Sequence, residues 1–226
     1  MNGELRLIHD QAHSGAHQMI IDESLFKNHI HTQDQNVILR FYHFSEPTLT
    51  VGYGVWSKVH QHLTKEISIT RRITGGGIVS HKPSDLTYAF IAPYQSFLSL
   101  RKTRGSYLFI HEALKRALLD FDVQTRFFEG CEDKCQSPKT DYCFESPVLY
   151  DVMIGSHKLA GAGQKRTLGY LLHQGSIAWD LLKSTKPELS EIDFRNSFAK
   201  HLAEALNLTI KETPFLAEKL IQTATV

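Results

Sequence analysis

The chain has 226 residues, which suits one domain of generous size. Hydrophobic residues make up 42% and charged residues 22%, with a net charge of +1, so nothing global points to nucleic acid or a membrane surface, and any basic site has to be local. No apolar run approaches a membrane span, and MNGELRLIHDQAHSGAH lacks the basic-then-apolar pattern of a secretory leader, so the expected location is the cytoplasm.

In chain order, Met19, Ile20, Leu25 and Phe26 fall near helical spacing, with Ser14 as the expected N-cap. NVILRFYHF (36–44) and PTLTVGYG (47–54) read as two strands around a Ser-Glu-Pro turn. ISITRRI is a short strand ending at three glycines, and DLTYAFIAP is another, closed by Pro93. SYLFIHEALKRALLDF is the clearest helix, because Tyr107, Ile110, Leu114, Ala117 and Phe121 share a face that excludes Lys115 and Arg116. VQTRFF follows as a strand. GCEDKCQSPKTDYCFES is polar and irregular. VLYDVMI, HKLAGAGQKR and GYLLHQGSIAWD read as three strands joined by tight turns at Gly155 and Gly169. DFRNSFAKHLAEALN is a helix with Phe194, Phe198, Leu202 and Leu206 spaced by four. The expected organisation is a single domain over 1–226, with a core at about 15–180 and a helical segment over 190–226. The fold class is α+β, a mixed, largely antiparallel β-sheet flanked by helices.

Three stretches carry chemistry. In RRITGGGIVSHKPSDLTYAF two arginines run into three glycines. This is neither a P-loop nor a dinucleotide fingerprint. Bare backbone lets a ligand lie close and can turn N–H groups toward an anion, while arginine charge does not titrate away. On a strand the two arginines alternate, so one of them faces the site. Taken alone, the stretch fits a solvated turn as well as an anion cradle. In HKLAGAGQKR, Lys158 precedes small residues that leave room for a ligand chain, and a plain strand with a glycine bulge fits equally. In DYCFESP, Cys143 precedes Lys158; a nearby ammonium favours thiolate, the form that attacks acyl groups, whereas a buried cysteine is inert. An odd count of cysteines argues against a disulfide framework. Cys131, Cys135 and Cys143 also lack the paired C-x2-C spacing of structural zinc sites, so no metal is expected.

In this order the stretches resemble the catalytic domain of lipoate–protein ligases, octanoyltransferases and biotin ligases. RRITGGGIVSHKPSDLTYAF is similar to that superfamily's arginine, triple-glycine and histidine signature, and HKLAGAGQKR to its lysine-x-x-glycine-x-alanine-glutamine segment. LHQGSIAWD, MIIDESL and PTLTVGYG resemble the strand that follows, the N-terminal helix and an early strand. Ser80-His81-Lys82 and Ser84-Asp85 depart from the family pattern, and Gly163 stands where many members carry alanine. The resemblance implies an acyl tunnel beside the glycines. Cys143 and Lys158 are its implied catalytic residues. Arg72, Thr74, Gly75, Gly76, Gly77 and His81 on one side, and Gly161, Ala162, Gln164, His173, Gly175 and Ser176 on the other, are its implied substrate contacts. His81 is expected at the tunnel mouth or as a proton shuttle.

Two chemistries fit the resemblance. A transferase takes octanoyl (or lipoyl) from acyl carrier protein through acyl-Cys143 to a lysine of a lipoyl-domain protein, a glycine-cleavage H protein or a 2-oxoacid dehydrogenase E2, and needs no cofactor. A lipoate–protein ligase needs ATP and Mg2+ to make lipoyl-AMP, with Arg72 and Lys158 holding phosphate and carbonyl charge. CFESP is similar to the cysteine-dependent octanoyltransferases and favours the first. A non-catalytic module that binds lipoyl carriers is the alternative of a different class.

Overall fold

The computed structural model describes residues 3–59, 67–130 and 147–214. The chain runs β1 (Glu4–His9), α1 (Gly15–Thr32), β2 (Val37–Tyr42), β3 (Thr48–Val51), α2 (Trp56–Val59), β4 (Ser68–Arg71), β5 (Ile78–His81) and β6 (Leu86–Pro93). A 3-10 turn (Leu98–Leu100) leads into α3 (Thr103–Leu119). Then come β7 (Arg126–Phe127), β8 (Val152–Ile154), β9 (His157–Thr167), β10 (Tyr170–Ile177), α4 (Trp179–Thr185), α5 (Glu191–Leu206) and β11 (Thr209–Glu212).

Eight strands form one sheet in the order β11-β1-β2-β6-β10-β9-β8-β7. The pairs β1–β11 and β1–β2 are parallel and the others antiparallel. Every residue of β2, β6 and β10 is buried, because both faces of the central strands are covered. On one face Leu7, Leu39, Phe90 and Leu171 pack against Leu114 of α3 and Phe198 of α5. On the other, Ile38, Ile91 and Leu172 meet Ile21 and Phe26 of α1. Each fully buried Leu, Ile or Phe contributes about 1.5–3 kcal/mol. This is the expected α+β class, with a mixed, largely antiparallel sheet between helices.

Local signals explain the elements. The Ser14 hydroxyl accepts from His17 N–H at the start of α1, which ends at Gln33 in the left-handed region (φ 53). Gly155 (φ 54) and Gly169 (φ 87) make the turns that join β8, β9 and β10. The four residues spaced along α5, Phe194, Phe198, Leu202 and Leu206, are all buried. Within the segment expected to be helical over 190–226, α5 is followed by the strand β11, which pairs with β1.

β2 and β3 do not pair with each other. β3 belongs to a second, three-stranded sheet, order β4-β3-β5, parallel to β4 and antiparallel to β5. The triple glycine connects β4 to β5 and faces β9 of the large sheet across the seam. Among the described residues, no helix is long and apolar enough to cross a membrane.

Candidate active site

A cavity of about 290 Å³ lies at this seam. That is near the lower end of the roughly 300–1,000 Å³ typical of ligand pockets. Met19, Tyr42, Phe44 and Thr87 line one part, and Thr103, Tyr107, Val148 and Lys158 another. The walls between are the glycine loop with β5 and the small residues of β9 and β10.

The loop is built by Arg72, which is buried, whereas Arg71 is exposed. Arg72 Nη1 donates to Thr50 O (2.8 Å) and Thr50 Oγ1 (3.1 Å). Nη2 donates to Gly75 O (3.0 Å) and Gly77 O (2.9 Å). The guanidinium, which the ligase chemistry would use to hold phosphate, lines the cavity and also clamps the loop. Backbone bonds from Gly52 N to Gly77 O (3.0 Å), Tyr53 N to Thr74 O (3.0 Å) and Gly75 N to Gln164 O (3.2 Å) fix both flanks. Gly76 needs its glycine, since its φ is +100 and a Cβ would stand 2.7 Å from Arg72 Nη2. Gly163 lets the loop approach β9, because a Cβ there would lie 2.6 Å from Gly75 O. The departure from the family's alanine therefore has a steric meaning in this chain.

Lys158 forms an ion pair with Asp151, Nζ to Oδ2 2.8 Å, with side chains 8% and 3% exposed. Gly161 makes room for the pair, since a Cβ would fall 2.5 Å from Lys158 Cε and 2.9 Å from Asp151 Oδ1. Asp151 is held in turn. Its Oδ2 accepts from Val148 N (2.7 Å), and its backbone N donates to Val148 O (2.9 Å). The preceding Tyr150 sits at φ +72, a costly conformation for a tyrosine. Its carbonyl accepts from His111 Nδ1 of α3 at 2.7 Å, which assigns the proton to Nδ1. His111 Nε2 is buried without a hydrogen-bond partner among the described residues. Asp151 and His111 were not foreseen from the sequence. The available signal was an acid placed across the Gly155 turn from Lys158.

The cavity's polar groups are tied to the frame behind it. The Thr74 hydroxyl donates to Gln174 Oε1 (2.8 Å), whose Nε2 donates to Asp22 (2.7 Å). Tyr42 Oη donates to the same carboxylate (2.8 Å), and Arg40 bridges Asp22 and Asp10 with 2.6 Å contacts. His81 bonds Thr50 Oγ1 (2.8 Å) and Ser176 Oγ (3.2 Å). Burial, aided by the Arg72 guanidinium, pushes its pKa down to about 3. His81 is thus held neutral in the cavity wall. Thr87 Oγ1, also on the wall, is buried with no hydrogen-bond partner among the described residues.

Of the expected contacts, Arg72, Gly75, Gly76, His81, Lys158, Gly161, Ala162, Gln164, Gly175 and Ser176 line the cavity. Thr74, Gly77 and His173 support it from behind. His173 bonds Tyr88 Oη (3.1 Å) and Gln164 Nε2 (2.9 Å), and burial, then His111, lowers its pKa well below the ordinary value. Cys143, Cys131 and Cys135 lie outside the described residues. Among the described residues, no three His, Cys, Asp or Glu side chains gather as a cation site.

The chain is 32% identical over 200 residues to octanoyltransferase LipM of Clostridioides difficile (strain 630), covering 82% of this chain and 72% of that protein. It is also 32% identical over 173 residues to octanoyltransferase LipM of Moorella thermoacetica (strain ATCC 39073 / JCM 9320), covering 72% of this chain and 60% of that one. The alignment thus spans less than two thirds of the second relative's own length. Among solved structures, protein Ta0514 from T. acidophilum superposes with a TM-score of 0.69 at 20% identity, covering 99% of this chain and 94% of the other. Lipoate-protein ligase A bound with ATP gives a TM-score of 0.67 at 20% identity over the same shares. At these identities the structural likeness is one of fold. The family model named lipoyl protein ligase A/B catalytic domain matches residues 14–204, and the chain belongs to that family.

Proposed function

We propose that this chain is an acyltransferase of protein lipoylation. It moves an octanoyl group from the thioester of acyl carrier protein to Cys143, and from there to a lysine of a lipoyl-domain protein. The observation that carries the reading is the buried Lys158–Asp151 pair, whose lysine lines the cavity, in a chain 32% identical to octanoyltransferases. A thioester is already activated, so the first step exchanges one thioester for another at nearly equal free energy. Cys143 Sγ bonds to the carbonyl carbon, and the carrier thiolate leaves and takes up a proton. A neutral lysine amine of the acceptor then attacks, Cys143 leaves as thiolate, and the amide forms with loss of the amine proton. Lys158, aimed by Asp151, stabilises the thiolate and the oxygen that gains charge in both steps. Gly75, Gly76 and Gly161 let the acyl chain pass against backbone.

The ATP-bound ligase of similar fold favours a second reading, activation of free lipoate through lipoyl-AMP. That chemistry needs a cation for phosphate, and Arg72 is already bonded to the loop and to Thr50. Intact mass after incubation with octanoyl-carrier protein, and separately with lipoate plus ATP and Mg2+, tests both. One octanoyl added to the wild type and absent from Cys143→Ser is the expected result. Turnover only with ATP and indifferent to that substitution overturns it, and binding of a lipoyl-domain protein without any adduct or product assigns a non-catalytic module.

A further inference from the structure

The first turn of α3 separates the cavity from an outer groove. Thr103 and Tyr107 face the cavity, whereas Lys102, Gly105 and Phe109 face the groove, with Leu98, Arg101 and Leu108. Two features distinguish this groove. Leu98 is 80% exposed and Leu108 37%, which puts apolar surface in water beside an active-site mouth. The charge is one-sided as well. From Leu86 to His111 the sequence has no Asp or Glu, yet it places Arg101, Lys102 and Arg104 within four positions, all exposed. α3 has no acid in its first turn to offset the cations or the positive end of the helix. Glu112, which also lines the groove, is engaged by Lys115 and Arg116, and Asp120 beyond it by His201. In a chain of net charge +1 this is a local basic patch around an apolar foot.

We infer that this groove is the docking surface for the donor: an acidic carrier protein that presents an apolar side chain to Leu98 and Leu108 while its thioester-bearing arm enters the cavity past Thr103 and Tyr107. The inference rests on the transferase reading. A carrier too large for the cavity must sit beside its mouth, and the basic face favours an acidic one by complementarity and by steering.

The test compares wild type with Lys102→Glu/Arg104→Glu and with Leu98→Ser. None of these residues lines the cavity, and an acid in the first turn of a helix favours that helix, so the double variant is expected to fold. Acyl-enzyme formation is measured with octanoyl on acyl carrier protein and with octanoyl-pantetheine, an uncharged donor with no protein body. Binding of fluorescent octanoyl-carrier protein is followed by anisotropy, a readout that needs no chemistry. The double variant should lose on the order of tenfold or more in kcat/KM and in affinity for the carrier-borne donor, with a weaker salt dependence, while octanoyl-pantetheine reacts as with wild type. Equal loss with both donors, or no loss with either, overturns the inference. A defect confined to transfer from preformed acyl-enzyme assigns the surface to the acceptor, and a change in oligomeric mass assigns it to a second copy; each overturns it. If the wild type is acylated by neither donor, the transferase reading fails, and the anisotropy still decides whether the basic groove holds the carrier.

Discussion

Gly163 and His111 each act through a neighbour. Gly163 holds no ligand group of its own, but alanine there would push a methyl to 2.6 Å from Gly75 O, and the loop clamped by Arg72 has little freedom to retreat. Gly163→Ala is expected to destabilise the protein by about 1–3 kcal/mol through overpacking and to lower kcat/KM by moving a cavity wall. Thermal unfolding and donor kinetics check the two halves separately; full activity at an unchanged melting temperature would mean that the loop gives way freely. His111 bonds the carbonyl of Tyr150, whose left-handed backbone presents Asp151 to Lys158. Its role is positioning. His111→Phe is expected to lower kcat between about tenfold and a hundredfold with little change in KM, and His111→Asn, which keeps a donor, to recover part of it. A variant that changes KM alone would refute this assignment.

Among the elements, α5 shows how a capped amphipathic helix completes the core. Ser190 Oγ accepts from Asp193 N, Glu191 and Asp193 occupy the first turn, and Phe198 meets Tyr88 edge-on at 5.2 Å. Ser190→Ala should cost about 1 kcal/mol, and Phe198→Ala about 3–5 kcal/mol, measured by denaturant unfolding. The order of these two losses is the check, since a cap that matters more than the core residue would place the helix's stability elsewhere. Periodicity made α3 and α5 legible in the sequence, and glycines marked the turns at Gly155 and Gly169. Sheet membership was not legible. PTLTV reads like any buried strand, and nothing in it says that β3 joins β4 and β5 rather than β2. The triple glycine is visible as a ligand-facing segment, but the bonds of Arg72 to the carbonyls of Thr50, Gly75 and Gly77 are ones that no sequence pattern displays. Asp151 was hidden for a related reason. It precedes β8 in a turn set by a left-handed tyrosine and a histidine from α3, so its approach to Lys158 depends on tertiary contacts.

Over the whole molecule, four histidines among the described residues are buried with lowered pKa values. Burial lowers the pKa of His81, to about 3, and also lowers those of His29, His111 and His173. In the unfolded chain each takes up a proton near pH 6.5, whereas in the folded chain it does not. Their depressed pKa values therefore stabilise the fold fully above about pH 6.5, and that stability is lost as pH falls, at up to about 1.4 kcal/mol per pH unit for each. Melting temperatures recorded from pH 7.5 to pH 5 should fall steadily, and a flat profile would contradict neutral burial. The loop at the seam has a consequence for the heat of ligand binding. Its backbone is already ordered by Arg72, Gly52 and Gln164, so among the described residues the glycine loop has no folding left to do when an acyl chain enters the cavity. Calorimetry across temperatures should then show the negative heat-capacity change of burying the chain itself, without the larger change and entropy loss that accompany coupled folding.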